Sequence, residues 1–205
     1  MRLDEDEMRL RREAIMTSAF ELFCAHGIEN VSMEQIAKQA RVGKRTMYRY
    51  FDHKMALVTA VLVHQWGLLI DELKAAIGYY AGYSALSGLE QITLWLEAFR
   101  QMYESKAPLI LFSYEAKFNV LRNNVHFSPE QMDFFTNGIR GPCVAALEKG
   151  LSDGTLAFSY EAIEVFYAIW ASIRGCIALS GEFNPCQNTY QVMAETILKA
   201  IAAQS

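Results

Sequence analysis

Apolar residues recur at the spacing of an α-helix along almost the whole chain, and no segment alternates apolar and polar residues as a half-buried β-strand does. Residues 9–25, for example, place Ile15, Ala19 and Phe23 on one helical face. Of the 205 residues, 52% are apolar and 20% are charged, which is enough apolar material for a buried core. The sequence therefore predicts an all-α protein of about nine helices.

Two short helices are predicted close together near the N-terminus. Ser32 and Gln35 have the spacing of a capping box, which opens a helix over about 32–40. Only residues 41–43 separate this helix from the next, which is predicted over 44–51. Two short helices joined by so tight a turn are typical of a helix-turn-helix motif.

Longer helices are predicted for the rest of the chain, the first of them from Lys54 to about Ile77. Residues 128–131, Ser-Pro-Glu-Gln, are typical of a helix start, with Ser as the N-cap and Pro at the first helical position. We expect that helix to bend at 138–142 and to end at Gly150. The other predicted helices span residues 89–104, 108–123, 159–182 and 187–203.

Charge is distributed unevenly along a chain whose formal net charge is −4. Residues 8–54 carry nine Lys or Arg against five Asp or Glu, whereas residues 55–205 carry nine against fourteen. A basic part joined to an acidic remainder indicates that the basic part meets a polyanion. This division of charge falls at the predicted boundary between two domains, residues 1–54 and 55–205.

The second short helix has two different faces when its residues are placed on a helical wheel. Met47 and Phe51 are four residues apart and are expected to anchor the helix inward. Arg45 and Arg49 lie on the opposite face, with Thr46 beside them. Arg can bond guanine O6 and N7 with both arms of its guanidinium, and Thr can touch a thymine methyl group, so this face suits the DNA major groove. A solvated basic surface is the alternative.

Across residues 11–57 the sequence resembles the N-terminal domain of TetR-family transcriptional regulators. The resemblance is carried by "AFELFCAHGIENVSMEQIA", then by "TMYRYF" and a Lys three residues further on. Later in the chain, "ALEKGLSDGTL" is similar to the family's turn before its last two helices. The resemblance implies a three-helix helix-turn-helix DNA-binding domain followed by a larger helical domain for ligand binding and dimerisation.

The resemblance also implies a function. The family's members are dimeric, ligand-responsive regulators, most often repressors, that bind a palindromic double-stranded DNA operator and are released by a small-molecule effector. The alternative is a helical small-molecule-binding protein without sequence-specific DNA binding. The residues predicted to contact DNA are Ser32, Lys44, Arg45, Thr46, Tyr48, Arg49, Tyr50 and Lys54.

Three residues depart from the family's usual pattern. Arg41 stands where the family often has Gly in the turn, so we expect backbone strain if its φ is positive, or a different turn. Gly43 replaces a frequent capping Ser and is expected to cap the next helix less well. Arg45 replaces a small residue, which makes the groove contact more base-specific or displaces the usual pose.

The last two predicted helices are suited to pairing with a second copy of the chain. Ala168, Ala171, Ser172 and Gly175 permit close approach of helices, and the resemblance implies a four-helix interface. The alternative is that these apolar stripes cover the monomer's own core. The residues predicted at the dimer interface are Phe166, Trp170, Ile173, Ile177, Met193, Ile197 and Ile201.

The middle helices are rich in aromatic residues, which indicates an apolar pocket with a few polar groups. The expected effector is apolar or aromatic, with a cation as one alternative because aromatic faces and a carboxylate both attract cations. Ordinary core packing is the other reading of any one aromatic residue. The residues predicted to line the pocket are Trp66, Trp95, Phe99, Tyr103, Phe112, Glu115, Phe118, Phe134 and Arg174.

Other classes of function have no motif in this sequence. The four His residues are dispersed, and no Gly-rich phosphate loop or paired catalytic Cys and His is evident, so we predict no enzyme, no metal and no cofactor. The scattered Cys residues predict free thiols in the cytoplasm, with a redox-sensing Cys24 as the alternative. Neither a secretory signal nor a membrane span is predicted.

Overall fold

The computed structural model describes residues 5–78, 82–178 and 188–203, apart from the side chains of Tyr103, Phe135, Ile177 and Ala178. Within these ranges the chain is all-α, as predicted, with one isolated bridge between Leu156 and Ala202 in place of any strand. The helices are α1 (Glu5–His26), α2 (Met33–Gln39), α3 (Lys44–Tyr50), α4 (Lys54–Gly78), α5 (Gly88–Ser105), α6 (Ala107–Arg122), α7 (Pro129–Phe135), α8 (Gly141–Asp153), α9 (Ala162–Ala178) and α10 (Thr189–Ile201). A 3-10 turn at Tyr83–Ala85 precedes α5, and a π-helical turn at Thr136–Arg140 joins α7 to α8.

The chain divides into two compact units. The N-terminal unit contains Met1–Leu68 and Lys106–Gln131, and the C-terminal unit contains Leu69–Ser105 and Met132–Ser205. Helix α6 is therefore grouped with the helix-turn-helix region, although it lies within the predicted second domain. The functional boundary at residue 54 stays a prediction.

The core of the N-terminal unit forms around the apolar face of α1. Ile15, Ala19 and Phe23 are buried there, as the periodicity predicted. The ring of Phe112, on α6, stacks on Phe23 with centroids 5.9 Å apart and meets Phe20 edge-on at 5.5 Å. These aromatic contacts fix α6 against α1.

Helix α2 begins with the predicted capping box. Ser32 Oγ accepts a hydrogen bond from Gln35 N at 3.2 Å, and Gln35 Oε1 accepts one from Ser32 N at 2.7 Å. Both donors would otherwise be left unpaired at the helix start. Gln39, at the other end of α2, donates to Glu21 of α1 at 2.8 Å.

The turn between α2 and α3 places Arg41 at φ 54°, in the left-handed region. Arg41 N donates to Lys38 O, and Val42 N donates to Ala37 O. This pair of bonds is the Schellman motif, which normally has Gly at its left-handed residue. Of the two alternatives left open for Arg41, the structure shows positive φ. The weaker cap expected at Gly43 is confirmed, since it offers α3 no side-chain hydrogen bond.

The C-terminal unit packs α5 closely against α8. A Cβ atom on Gly88 would collide with the backbone of Gly150, so α5 depends on glycine at this crossing. A Cβ atom on Gly150 would collide with the Leu156 side chain, so α8 needs glycine for a different contact. The predicted end of the helix at Gly150 is wrong, because α8 continues to Asp153 and ends at Gly154 with φ 75°. The predicted bend is confirmed, and it takes the form of the π-helical turn between α7 and α8. If α7 and α8 are counted as one interrupted helix, the described ranges hold nine α-helices.

Helix α4 contributes residues to both units. It is long and apolar enough to cross a membrane, with a mean hydropathy of 1.3 in its most apolar 18-residue window. Of that window, 44% is buried in the structure, and the core helix of a water-soluble fold has the same length and composition. Its length alone therefore carries no indication of a membrane role.

Candidate nucleic-acid interface

The orientation predicted for the second short helix is confirmed. Met47 is fully buried and Phe51, which caps α3, is 3% exposed. Arg45 and Arg49 are exposed on the opposite face. The two apolar anchors therefore fix the helix so that both guanidinium groups project into solvent, where an external acceptor can reach them.

Lys44, at the start of α3, is held by two neighbours. Its Nζ atom lies 2.8 Å from Glu34 Oε1 and 6.0 Å from the centre of the Tyr48 ring. Tyr48 is itself exposed, and Thr46 is half-buried beside the arginine face. Both Lys44 and Tyr48 are thus on the accessible side of the helix, where the sequence predicted DNA contacts.

Glu34 is a charged residue of this surface that the sequence analysis did not single out. The hydrogen bond from Lys44 is the main reason why the pKa of Glu34 lies below its usual range, and the same bond raises the pKa of Lys44. No local pattern marks Glu34, because the pair forms only when α2 packs against α3. A carboxylate within the predicted interface repels phosphate and occupies Lys44.

Tyr50 is placed differently from the other predicted contacts. Its hydroxyl oxygen is buried and has no hydrogen-bond partner within the described part of the chain. The guanidinium carbon of Arg49 lies 5.4 Å from the centre of its ring. The Tyr50 ring therefore makes a cation–π contact with the Arg49 guanidinium. A contact of Tyr50 itself with DNA stays a prediction.

Ser32 and Lys54 flank the helix-turn-helix. Ser32 is exposed at the start of α2 with its side chain in the capping box. Lys54 Nζ donates to the backbone oxygen of Glu29 at 3.2 Å, in the turn that follows α1. That bond uses one of the three ammonium protons, so the other two remain for a phosphate.

The residues predicted for an effector pocket are divided between the two units. Trp66, Phe112, Glu115 and Phe118 belong to the N-terminal unit. Trp95, Phe99, Phe134 and Arg174 belong to the C-terminal unit, and the side chain of Tyr103 lies outside the described residues. The pocket as a whole stays a prediction.

Within the N-terminal unit these residues have separate roles. Phe112 packs against α1, as described above, and Phe118 is 67% exposed. Glu115 accepts a hydrogen bond from the backbone N–H of Ile28 at 2.5 Å, in the turn after α1. The Glu115 carboxylate is therefore already hydrogen-bonded to the N-terminal region that contains the helix-turn-helix.

The C-terminal unit gathers an aromatic cluster from α5 and α9. The Trp95 ring stacks on Phe99 at 5.5 Å and meets Phe166 edge-on at 6.5 Å. Trp170 meets Phe99 at 5.3 Å. Trp95 is fully buried, yet its indole Nε1 has no hydrogen-bond partner among the described residues. A buried donor without an acceptor is costly, so this nitrogen marks a place where an acceptor would be favourable.

The predicted dimer residues differ in exposure within one chain. Phe166, Ile173 and Ile201 are buried, and Trp170, Met193 and Ile197 are half-buried. Ile177 is among the side chains that are not described. The residues fully exposed on these helices include Tyr167, Ala168, Ala171 and Gly175 of α9 and Val192 of α10. The dimer interface stays a prediction.

The described cysteines are one exposed thiol, Cys24, and two buried ones, Cys143 and Cys176. Although Cys24 is exposed, partial desolvation, with a smaller contribution from Glu115, raises the pKa of its thiol to about 11. Burial also raises the pKa of Cys143 and of Cys176, and Cys186 lies outside the described residues. The three described thiols are therefore protonated at neutral pH and weak nucleophiles. Within the described ranges, no three His, Cys, Asp or Glu residues form a group that could hold a metal ion.

Comparison with known proteins identifies the N-terminal region. Residues 15–61 match the family model described as bacterial regulatory proteins, tetR family. An HTH-type transcriptional regulator of Staphylococcus aureus (strain USA300) is 39% identical over 74 residues. That alignment covers 36% of this chain and 38% of the relative, so the chain spans well under two thirds of the curated relatives' length.

Solved structures extend the similarity to the whole fold. A transcriptional regulator from Saccharomonospora viridis in complex with choline has a TM-score of 0.71 at 18% identity, covering 94% of this chain and 98% of that one. RolR in complex with resorcinol has a TM-score of 0.61 at 18% identity, covering 98% and 92%. Together with the matched helix-turn-helix region, these similarities support a tetR-family regulator, and they show that the chain has the all-α fold of these structures.

Proposed function

We propose that the protein is a cytoplasmic, dimeric transcriptional repressor that binds a palindromic DNA operator and is released by a small apolar or aromatic effector. The observation that carries the proposal is the orientation of α3, with Met47 and Phe51 buried and Arg45 and Arg49 exposed. An amphipathic short helix of this kind, held by a preceding capped helix, suits insertion into the major groove.

The exposed side chains divide into two roles. Arg45 and Arg49, with Thr46 beside them, read base edges, since bidentate Arg contacts distinguish guanine from the other bases. Lys44, Tyr48 and Lys54 bind phosphate oxygens and position the helix. Sequence discrimination therefore depends mainly on the arginines, whereas the lysines supply affinity for any duplex.

Dimerisation through α9 and α10 brings two recognition helices to two half-sites about one helical turn apart. The exposed residues that suit this contact are Ala168, Ala171 and Gly175, which permit close approach, together with Val192. A Cβ atom on Gly175 would meet no atom of the described residues within 4 Å, which leaves space there for a partner helix.

The effector proposal is supported by the aromatic cluster of the C-terminal unit. The buried indole N–H of Trp95 favours an aromatic ligand that carries a hydrogen-bond acceptor. The resorcinol and choline complexes of similar structures are examples of a neutral aromatic and a cationic ligand in this fold. Because Glu115 is engaged at Ile28, we favour a neutral aromatic ligand over a cation. An effector releases DNA if it binds more tightly to a dimer whose recognition helices are wrongly spaced.

Selection of bound fragments from a random DNA pool tests the proposal. We expect enrichment of one palindromic sequence, with a spacing that reports the dimer geometry. Salt-dependent binding to all sequences without enrichment would reduce the function to non-specific DNA binding. Absence of any DNA binding would favour a helical small-molecule-binding protein.

A further inference from the structure

The N-terminal unit contains a crevice of about 380 Å³ that the DNA-binding proposal does not use. Its walls are the turn after α1, the first turn of α4 and the last turn of α6. This volume lies within the range of small-molecule sites in proteins, roughly 300–1,000 Å³. The crevice is therefore large enough for a compact organic molecule.

Two cations at the crevice have hydrogen-bond donors to spare. Arg122 lies 3.7 Å from the nearest Glu29 carboxylate oxygen, beyond hydrogen-bond distance, and its guanidinium makes no hydrogen bond within the described part of the chain. Lys54 uses one proton on the backbone oxygen of Glu29. The guanidinium fork of Arg122 matches a carboxylate or a phosphate group, and the ammonium of Lys54 can bind the same anion.

The inner wall of the crevice combines a buried amide with apolar side chains. Asn119 is 8% exposed, and its Nδ2 atom donates to the backbone oxygen of Glu115 at 3.0 Å. Its Oδ1 atom accepts no hydrogen bond from the described residues, so it is available to a ligand hydroxyl or amine. Met55, which is half-buried, adds apolar surface beside it. A ligand that satisfies these groups has an anionic end and an apolar body.

We propose that this crevice binds a small organic anion through Arg122 and Lys54, and that the bound anion withholds Lys54 from DNA. The second half of this proposal rests on the proposed DNA-binding function, whereas the first half does not. A contact of Arg122 and Lys54 with the DNA backbone is the competing use of the same charges. The buried Asn119 in a concave wall favours a small molecule, because the convex surface of a duplex does not reach such a group.

Calorimetric titration of the full chain with sodium benzoate tests the site, with ionic strength held constant by chloride. We expect saturable binding to the wild type, about tenfold weaker binding to Arg122→Gln, and tighter binding to Glu29→Gln, which removes the carboxylate that repels the ligand. Both side chains are largely exposed, so neither substitution threatens folding. Arg9→Gln changes the same charge on α1 and should bind benzoate as the wild type does.

A parallel titration with inorganic phosphate tests whether the site prefers an organic anion or free phosphate. We expect phosphate to bind more weakly than benzoate, because it has no apolar body to pack against Met55. Phosphate binding that is tighter than benzoate binding would contradict the organic-anion assignment. Equal heats in the wild type and in Arg122→Gln would overturn the site itself.

Binding of a random DNA duplex, with and without benzoate at fixed ionic strength, tests the regulatory half. We expect benzoate to weaken DNA binding by the wild type more than by Arg122→Gln. If Arg122→Gln loses DNA affinity but binds benzoate normally, Arg122 is a DNA phosphate contact and the proposal is overturned. If no variant binds DNA, the DNA-binding function fails and the calorimetry still decides the anion site.

Discussion

The carboxylate of Glu115, on α6, accepts a hydrogen bond from the backbone N–H of Ile28, in the turn after α1. That turn begins at Gly27, whose φ is 79° and whose N–H donates to Phe23 O. This ending has the single backbone bond of the αL motif, so the next N–H, that of Ile28, has no backbone acceptor within the helix. Ile28 is 1% exposed, so Glu115 supplies an acceptor that water cannot.

Glu115→Ala should therefore destabilise the N-terminal unit. Leaving the Ile28 N–H without an acceptor is expected to lower the free energy of unfolding by about 1–3 kcal/mol. Urea denaturation followed by circular dichroism measures this change. Glu115→Gln is the control, because its amide oxygen keeps an acceptor in place and should retain most of the stability. Wild-type stability for Glu115→Ala would show that the bond contributes nothing.

The local signals at helix starts could be predicted from the sequence because they depend on residues three apart. The capping pairs Ser32 with Gln35 and Ser128 with Gln131 both form as predicted. The amphipathic face of α3 is equally local, and its two buried anchors follow from its periodicity.

The turn at Arg41 yields a second prediction. A non-Gly residue in the left-handed region carries backbone strain, so Arg41→Gly should raise the free energy of unfolding by about 0.5–1 kcal/mol after the entropic cost of Gly. Arg41→Val should lower it, since a β-branched residue is strained further at this φ. The urea midpoints of the wild type and the two variants give their order of stability. A lower midpoint for Arg41→Gly than for Arg41→Val would contradict backbone strain at Arg41.

The ion pair between Glu34 and Lys44 leads to a third prediction. Glu34→Gln removes a carboxylate from the interface and releases Lys44, so affinity for any duplex should rise by about threefold, and the salt dependence should steepen. Fluorescence anisotropy at several salt concentrations measures both effects. In a Lys44→Ala background the gain should shrink, and an undiminished gain there would mean that the pair does not restrain Lys44.

Lowering the pH should raise affinity for a DNA duplex, as Glu34→Gln is expected to. The pKa of Glu34 is lowered by its bond to Lys44, so the pair persists at neutral pH and is lost only as the pH falls through that lowered pKa. Glu13→Gln makes the same charge change on α1 and serves as the control for general electrostatic effects.

Relationships between distant residues could not be predicted from the sequence. Glu115 and Ile28 are 87 residues apart, and Glu115 was assigned to an effector pocket because only its neighbours in sequence were known. Gly150 was taken as a helix end for the same reason, although close packing against the Leu156 side chain is what requires glycine there. The start of α1 at Glu5 was missed because its first turns have no apolar stripe. They are stabilised instead by ion pairs such as Glu7 with Arg11.

Dimerisation through α9 makes a fourth prediction. Ala171→Arg places a long cation on the exposed small-residue face, and we expect it to shift the protein from dimer to monomer. Ala145→Arg makes the same change at an exposed position of α8 and should leave the dimer intact. Sedimentation velocity distinguishes the two species. If Ala171→Arg stays a dimer, as Ala145→Arg is expected to, α9 does not form the interface.

Reading of bases by Arg49 is the central claim, and the affinity for the selected operator relative to a random duplex tests it most directly. For Arg49→Ala we expect this ratio to fall by the equivalent of about 1–3 kcal/mol, while binding to random DNA changes little. Lys54→Ala should instead weaken both duplexes alike and flatten their salt dependence. Equal losses on operator and random DNA for Arg49→Ala would contradict the account.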